Sequence, residues 1–148
     1  MRRVARSAIV EHSAAALFAL VDDVEAYPEF LPWCLAAKVH AREPDLTLAT
    51  ITVGIKGIRQ SFTTENANVP GEKIDMRLVE GPFKHFAASW RFVPLGERAA
   101  RIEFRMEYQF SSRWLAKLLD PLFGHIADTM VGSFSRRAET LYGQAPAN

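Results

Sequence analysis

The chain has 148 residues, with 49% hydrophobic and 24% charged side chains, a formal net charge of +1 and one cysteine. That length suits one domain with its own core, expected to span residues 1–148, and a lone cysteine excludes an internal disulfide and any multi-cysteine metal site. The near-neutral charge argues against a dedicated nucleic-acid binder while leaving local basic patches open, and no apolar run approaches the ~20 residues that a membrane-spanning helix needs.

Arg2 to Val10 reads as a first strand, diluted by Arg and Ala. Strand-like sequence so close to Met1 leaves no room for a signal or transit peptide, so a soluble protein of a reducing compartment, the cytoplasm, is expected. Cys34 is then expected to be a small buried hydrophobe. Ser13 is placed to cap a helix, since its hydroxyl can accept from an orphan amide of the first turn. Leu17, Phe18, Leu20 and Val21 give that helix an apolar face, and it ends near Asp22-Asp23. Val24 to Trp33 holds two prolines and three aromatics, too irregular for a core element and too apolar for a free loop. It predicts a packed lid, or a plug at one end of a core.

Leu35 to Ala41 alternates, and Glu43-Pro44-Asp45 turns the chain. Leu46 to Ile55 predicts a strand with Ala49, Ile51, Val53 and Ile55 inward, followed by a turn at Gly54–Gly57. Ile58 to Glu65 predicts a strand with Ile58, Gln60, Phe62 and Thr64 on one side, and Asn68 to Gly71 a turn. Lys73 to Val79 follows, with Ile74, Met76 and Leu78 inward. Glu80-Gly81-Pro82 breaks the chain before Phe86, Ala88, Trp90 and Phe92 alternate with His85, Ala87, Ser89 and Arg91. Pro94 to Arg98 turns again. Arg101 to Phe110 alternates most cleanly, apolar on one face and charged on the other, as an antiparallel sheet with one wet face requires. From Ser111 or Ser112 the period becomes helical through Tyr142, about 45 Å at 1.5 Å per residue, with Pro121 expected to kink or restart the helix.

Short turns make the later strands a meander, so alternate turns share one end of the sheet. Trp33, Ile55, Lys56, Phe83, Lys84, Arg113 and Trp114 therefore gather at one rim although they are far apart in the chain. The large inward side chains either line a cavity beneath the long helix or fill it, and Phe83-Lys84 either seals such a cavity or is a turn with one packed ring.

Three stretches carry a resemblance to a known family: Val21–Cys34 (VDDVEAYPEFLPWC), Gly81-Pro82-Phe83-Lys84 and Trp90-Arg91-Phe92. On them the chain resembles the coenzyme Q-binding and ribosome association toxin (RatA) family of START-like, polyketide cyclase/dehydrase-type proteins. One departure is Ala88-Ser89, where family members commonly carry Gly before the Trp. The resemblance implies an α+β helix-grip fold, Bet v 1-like, in which a curved antiparallel sheet of about seven strands grips a long C-terminal helix. It implies a hydrophobic tunnel under that helix for ubiquinone or a related isoprenoid or lipid, supporting respiratory quinone function.

On that reading Phe62, Met76, Phe86, Trp90, Phe104, Met106 and Tyr108 are the inward ligand-binding candidates, with Phe30, Trp33 and Phe83 at the gate. No covalent cofactor and no metal is expected, and transient contact at the periphery of the inner membrane fits such a ligand. The family also implies a second role, binding the 50S ribosomal subunit and blocking subunit joining. Lys56, Lys84 and Arg113, with Arg59, Lys117, Arg2 and Arg3, are either phosphate contacts or ordinary solvated charge. A third reading, a cyclase-type enzyme, lacks a positioned acid or base: the inward polar candidates are Tyr108, Gln60 and Thr64, and His12, His40, His85 and His125 join no motif. Binding without catalysis is therefore expected.

Overall fold

A computed structural model describes residues 1–143; residues 144–148 of the expected domain lie outside the described residues. The chain runs through strand β1 (Arg2–Val10), helix α1 (Ala14–Asp22) and a 3₁₀ helix (Val24–Glu29). A run of strands follows: β2 (Cys34–Glu43), β3 (Leu46–Ile55), β4 (Ile58–Val69), β5 (Lys73–Glu80), β6 (Phe83–Gly96) and β7 (Ala99–Phe110). Helix α2 (Arg113–Tyr142) completes the described chain. The strands form one antiparallel sheet in the order β1-β7-β6-β5-β4-β3-β2, so the meander closes by laying β1 along β7.

Local chemistry sets the boundaries. The Ser13 hydroxyl accepts from the Ala16 amide at 3.1 Å, and Ser112, not Ser111, does the same for Leu115 at 3.1 Å. Lys56 and Gly57 join β3 to β4 with φ of 50° and 83°, the left-handed pair that a two-residue hairpin of matching twist demands. Gly81 lets the β5–β6 turn lie on β4, because a Cβ there would sit 2.7 Å from Phe62 Cβ.

The concave face packs against α2. Ile102, Phe104, Met106, Tyr108 and Phe110 are all buried, and so are Leu119, Leu122, Phe123, Ile126 and Phe134 on the facing helix. Each such side chain stabilises by about 1.5–3 kcal/mol relative to exposure. Phe18 of α1 meets Phe92 edge-on at 5.7 Å and closes the core over β6.

Three elements differ from the sequence reading. Strand β4 runs on to Val69, with Asn66 opposite Met76 and Asn68 opposite Ile74. Asn68 reads as the start of a turn and Asn66 lies past the expected strand end, yet both side chains find partners inside. The turn shrinks to Pro70–Glu72. Strand β6 passes Pro94 and reaches Gly96, which pairs with Ala99 across a shift in register. Pro94 is tolerated because β5 stops at the Lys73–Arg91 pair, so the missing N–H faces no partner strand. Pro121 neither ends nor restarts α2. Its ring and Lys117 are both exposed, so the Lys117 carbonyl that loses its donor can bond water.

Candidate functional site

Between sheet and α2 lies a small space of about 40 Å³, room for little more than a water molecule. The sheet contributes Ile51, Val53, Phe62, Met76, Phe86, Ala88, Trp90, Phe104 and Met106 to its wall. Helix α2 contributes Phe123, Ile126 and Met130, and the segment after α1 contributes Tyr27 and Trp33. The polar groups carried by the lining residues are the Tyr27 hydroxyl and the indole N–H groups of Trp33 and Trp90. Ligand pockets commonly measure about 300–1,000 Å³, so the interior is nearly filled.

The structure divides the residues expected to hold a ligand. Trp33, Phe62, Met76, Phe86, Trp90, Phe104 and Met106 surround the space. Phe30, Phe83 and Tyr108 do not reach it. Phe30 packs edge-on to Phe134 at 5.1 Å, with the Arg137 guanidinium 4.9 Å above its ring. Phe83 is buried, stacked on Phe110 at 5.1 Å and edge-on to Phe123 at 5.3 Å. It is a floor of packed rings and not a gate. Tyr108 is 1% exposed, and its hydroxyl has no hydrogen-bond partner among the described residues. Burial raises its ionisation above the ordinary tyrosine value.

Trp33 borders two spaces. It lines the interior, and it also lines an outer groove of about 570 Å³ between α2, the β3–β4 hairpin and the start of β2. The groove's other walls include Pro32, Leu35, Ile55, Lys56, Arg59 and His125. Backbone pairing holds Trp33 there, its carbonyl accepting from Gly54 N–H at 2.9 Å. The buried Trp33 Nε1 has no acceptor among the described residues, and a desolvated donor without a partner costs about 1–3 kcal/mol. Of the expected basic rim, Lys56 borders this groove; Lys84 and Arg113 are exposed beyond it, near where Ser111 N–H meets the Pro82 carbonyl at 3.0 Å.

The opposite end of the concave face is polar, of which the sequence reading placed Thr64 inward and missed Thr47, Asn66 and Asn68. Thr47, Thr64, Asn66 and Asn68 are buried there. The Thr64 hydroxyl donates to Asn66 Oδ1 at 2.8 Å, and Asn68 Nδ2 donates to Thr47 Oγ1 at 3.2 Å and Asp22 Oδ1 at 3.5 Å. Burial raises the Asp22 pKa, and the Arg42 cation opposes that shift. The signal was in the parity: Phe62, Thr64, Asn66 and Asn68 continue one inward face, and turn propensity masked it. The Tyr27 hydroxyl donates to the Val21 carbonyl, and burial raises its ionisation far above the ordinary range. Burial likewise pushes the Cys34 thiol up to about 11. Among the described residues no three His, Cys, Asp or Glu side chains gather to hold a metal ion.

Residues 10–135 match the model of the family described as polyketide cyclase/dehydrase and lipid transport. The ribosome association toxin RatA of Vibrio cholerae is 42% identical over 97% of this chain and 100% of its own length. A mitochondrial coenzyme Q-binding protein COQ10 homolog B from Xenopus laevis is 27% identical over 93% of this chain and 58% of its own. Among solved structures, the Zhui aromatase/cyclase of Streptomyces sp. R1128 superposes with a TM-score of 0.81 at 14% identity, covering 97% of this chain and 99% of that one. The likeness is one of fold: the curved seven-stranded sheet around the long last helix is the START-like helix grip.

Proposed function

The chain belongs to the polyketide cyclase/dehydrase and lipid transport family, and on that premise we propose that it binds an apolar ligand of the ubiquinone or isoprenoid-lipid class beneath α2. One observation carries the reading: helix and sheet hold between them a space walled by Phe, Trp and Met, and one of its lining residues, Trp33, has a buried indole N–H with no acceptor among the described residues. A quinone carbonyl oxygen would accept from Trp33 Nε1 while its ring met the aromatic wall. The Xenopus relative's name, a coenzyme Q-binding homolog, supports the same ligand class. At about 40 Å³ the space must widen before a quinone ring enters. Met76, Met106 and Met130 favour that widening, because unbranched thioethers repack at low cost.

The proposed role is carriage in support of respiratory quinone function, and not catalysis. Tyr27 is the titratable group in the wall, and its proton is committed to the Val21 carbonyl. The protein would work in the cytoplasm with transient contact at the inner membrane, where such a ligand partitions. Solvent extraction of the purified protein followed by mass spectrometry tests this reading. It predicts a co-purifying quinone or isoprenoid; protein that carries none and takes up none from a short-chain ubiquinone solution contradicts it.

A second reading is binding to the 50S ribosomal subunit so that subunit joining is blocked. The Vibrio relative's name supports it, as do Lys56, Lys84 and Arg113, exposed and without an ion-pair partner among the described residues. Phosphate contacts by such cations weaken steeply with salt. Sedimentation with 50S particles at low and high salt separates the outcomes: salt-sensitive co-migration supports the reading, and none at any salt refutes it.

A further inference from the structure

Trp114 is 70% exposed, the highest value among the large exposed hydrophobics. It does not stand alone. Trp114, Lys117, Pro121 and His125 are all exposed, and their spacings of three, four and four place them on one outer stripe of α2. None of these four positions is a carboxylate: Asp120, beside Pro121, is half-buried, and Asp128, one turn further on, is held by Arg6 at 2.9 Å. At about 1.5 Å per residue the stripe runs roughly 17 Å along the surface and ends at the outer groove, where His125 faces Lys56 and Arg59. Lys56, Arg59 and Lys117 make no ion pair among the described residues. Lys56 also holds φ of 50°, a conformation that glycine or asparagine adopts at lower cost, so a cation stands at the hairpin tip against backbone preference.

We propose that this stripe and the β3–β4 hairpin dock the protein on an anionic lipid membrane, with the Trp114 ring in the interface and Lys56, Arg59 and Lys117 on the headgroup phosphates. Indole rings partition to the level of the headgroups, and juxtamembrane cations bind anionic lipid in proportion to their number. Nucleic acid phosphates offer the same charge. The continuity of the surface favours lipid: Leu35 and Ile55 add apolar area inside the groove, and Trp33 lines both that groove and the apolar interior. A docked molecule would therefore present that shared wall to the bilayer. That choice of partner rests on the ligand reading above, whereas the binding test below needs no ligand.

The experiment is co-sedimentation with vesicles of phosphatidylcholine alone and of phosphatidylcholine with phosphatidylglycerol, joined to tryptophan quenching by brominated lipid. Trp33 and Trp90 are buried, so quenching reports Trp114. The parent protein should bind the anionic vesicles, lose binding in high salt and be quenched. Lys56→Glu combined with Arg59→Glu should weaken vesicle binding about tenfold or more. Trp114→Ala should weaken it with no change in unfolding midpoint, since the ring packs on little. Equal binding by parent and variants, or no binding to either vesicle, overturns the proposal. So does protein that ignores vesicles yet binds RNA through the same residues. Vesicle binding by a protein that yields no extractable ligand and takes up no short-chain ubiquinone would overturn the ligand reading and leave the docking surface standing.

Discussion

At the α1 end of the sheet, Arg42 reaches Asp22 at 3.3 Å and Glu25 at 2.6 Å, Asn68 ties Thr47 to Asp22, and the Tyr142 hydroxyl donates to the Ala16 carbonyl at 3.1 Å. At the hairpin end, Lys56 and Arg59 face a groove and form no ion pair among the described residues, and Trp33 lines both that groove and the interior. The segment from Asp22 to Trp33 crosses from the tied end to the free one. Along the way Tyr27 and Phe30 pack on Phe134, and Arg137 holds Glu29 at 3.1 Å. The difference fixes where a ligand can enter. Widening at the α1 end would separate charges and buried amides, whereas widening at the hairpin end moves apolar rings past one another.

The freedom is local, and the largest predicted effect tests that. Phe83 lies near the free end but belongs to a cluster with Phe62, Phe86, Phe110 and Phe123. Phe83→Ala should cost about 3–5 kcal/mol in urea unfolding. A cost near zero would mean that the whole end is loose. Next comes the tie itself. Arg42→Ala should cost about 1 kcal/mol, discounted because both partners are partly exposed, and should speed amide exchange through Val24–Glu29. If exchange there is unchanged, Arg42 does not hold the segment.

Smaller and opposite in sign is Lys56→Asn. Relief of the left-handed lysine should stabilise the hairpin by about 0.5 kcal/mol while removing a groove cation. Thermal unfolding and vesicle binding should therefore move in opposite directions. The smallest effect concerns Cys34, whose thiol burial pushes from 9.0 up to about 11. At neutral pH it stays protonated in both states and contributes nothing to the pH dependence of stability. As pH rises past about 9 the unfolded thiol ionises first, so stability falls between there and about 11. Thiol reagents should label native protein slowly near pH 7; fast labelling would place Cys34 on a mobile edge and not in a packed one.

Much of this architecture was legible because its signals are local and periodic. Alternation from Arg101 to Phe110 placed every inward ring of β7 correctly, and Ser13 marked the start of α1. The meander rule brings Trp33 beside the Lys56 hairpin, and the hydrogen bond from Gly54 N–H to the Trp33 carbonyl shows that proximity. What stayed hidden depends on partners from elsewhere in the chain. Asn68 looks like the start of a turn, and Asn66 lies beyond the legible strand, until Thr64, Thr47 and Asp22 meet them. Pro94 looks like a strand end until β5 is seen to stop short of it. Phe83 looks like a gate because its position at a loop mouth is visible in sequence, whereas the five rings around it are not.

The central claim is that an apolar ligand occupies the interior, and Ala88 offers the most direct test. Its side chain lines the space opposite Met76 and Met106. Ala88→Val adds two methyl groups at a strand position that favours branched residues, filling the space with little harm to the fold. Titration with a short-chain ubiquinone is read from Trp33 and Trp90, which both line the space, in a Trp114→Phe background. The parent should quench saturably, and Ala88→Val should bind at least tenfold more weakly with an unchanged unfolding midpoint. Equal affinity in the two proteins would place the ligand outside the interior and contradict the account.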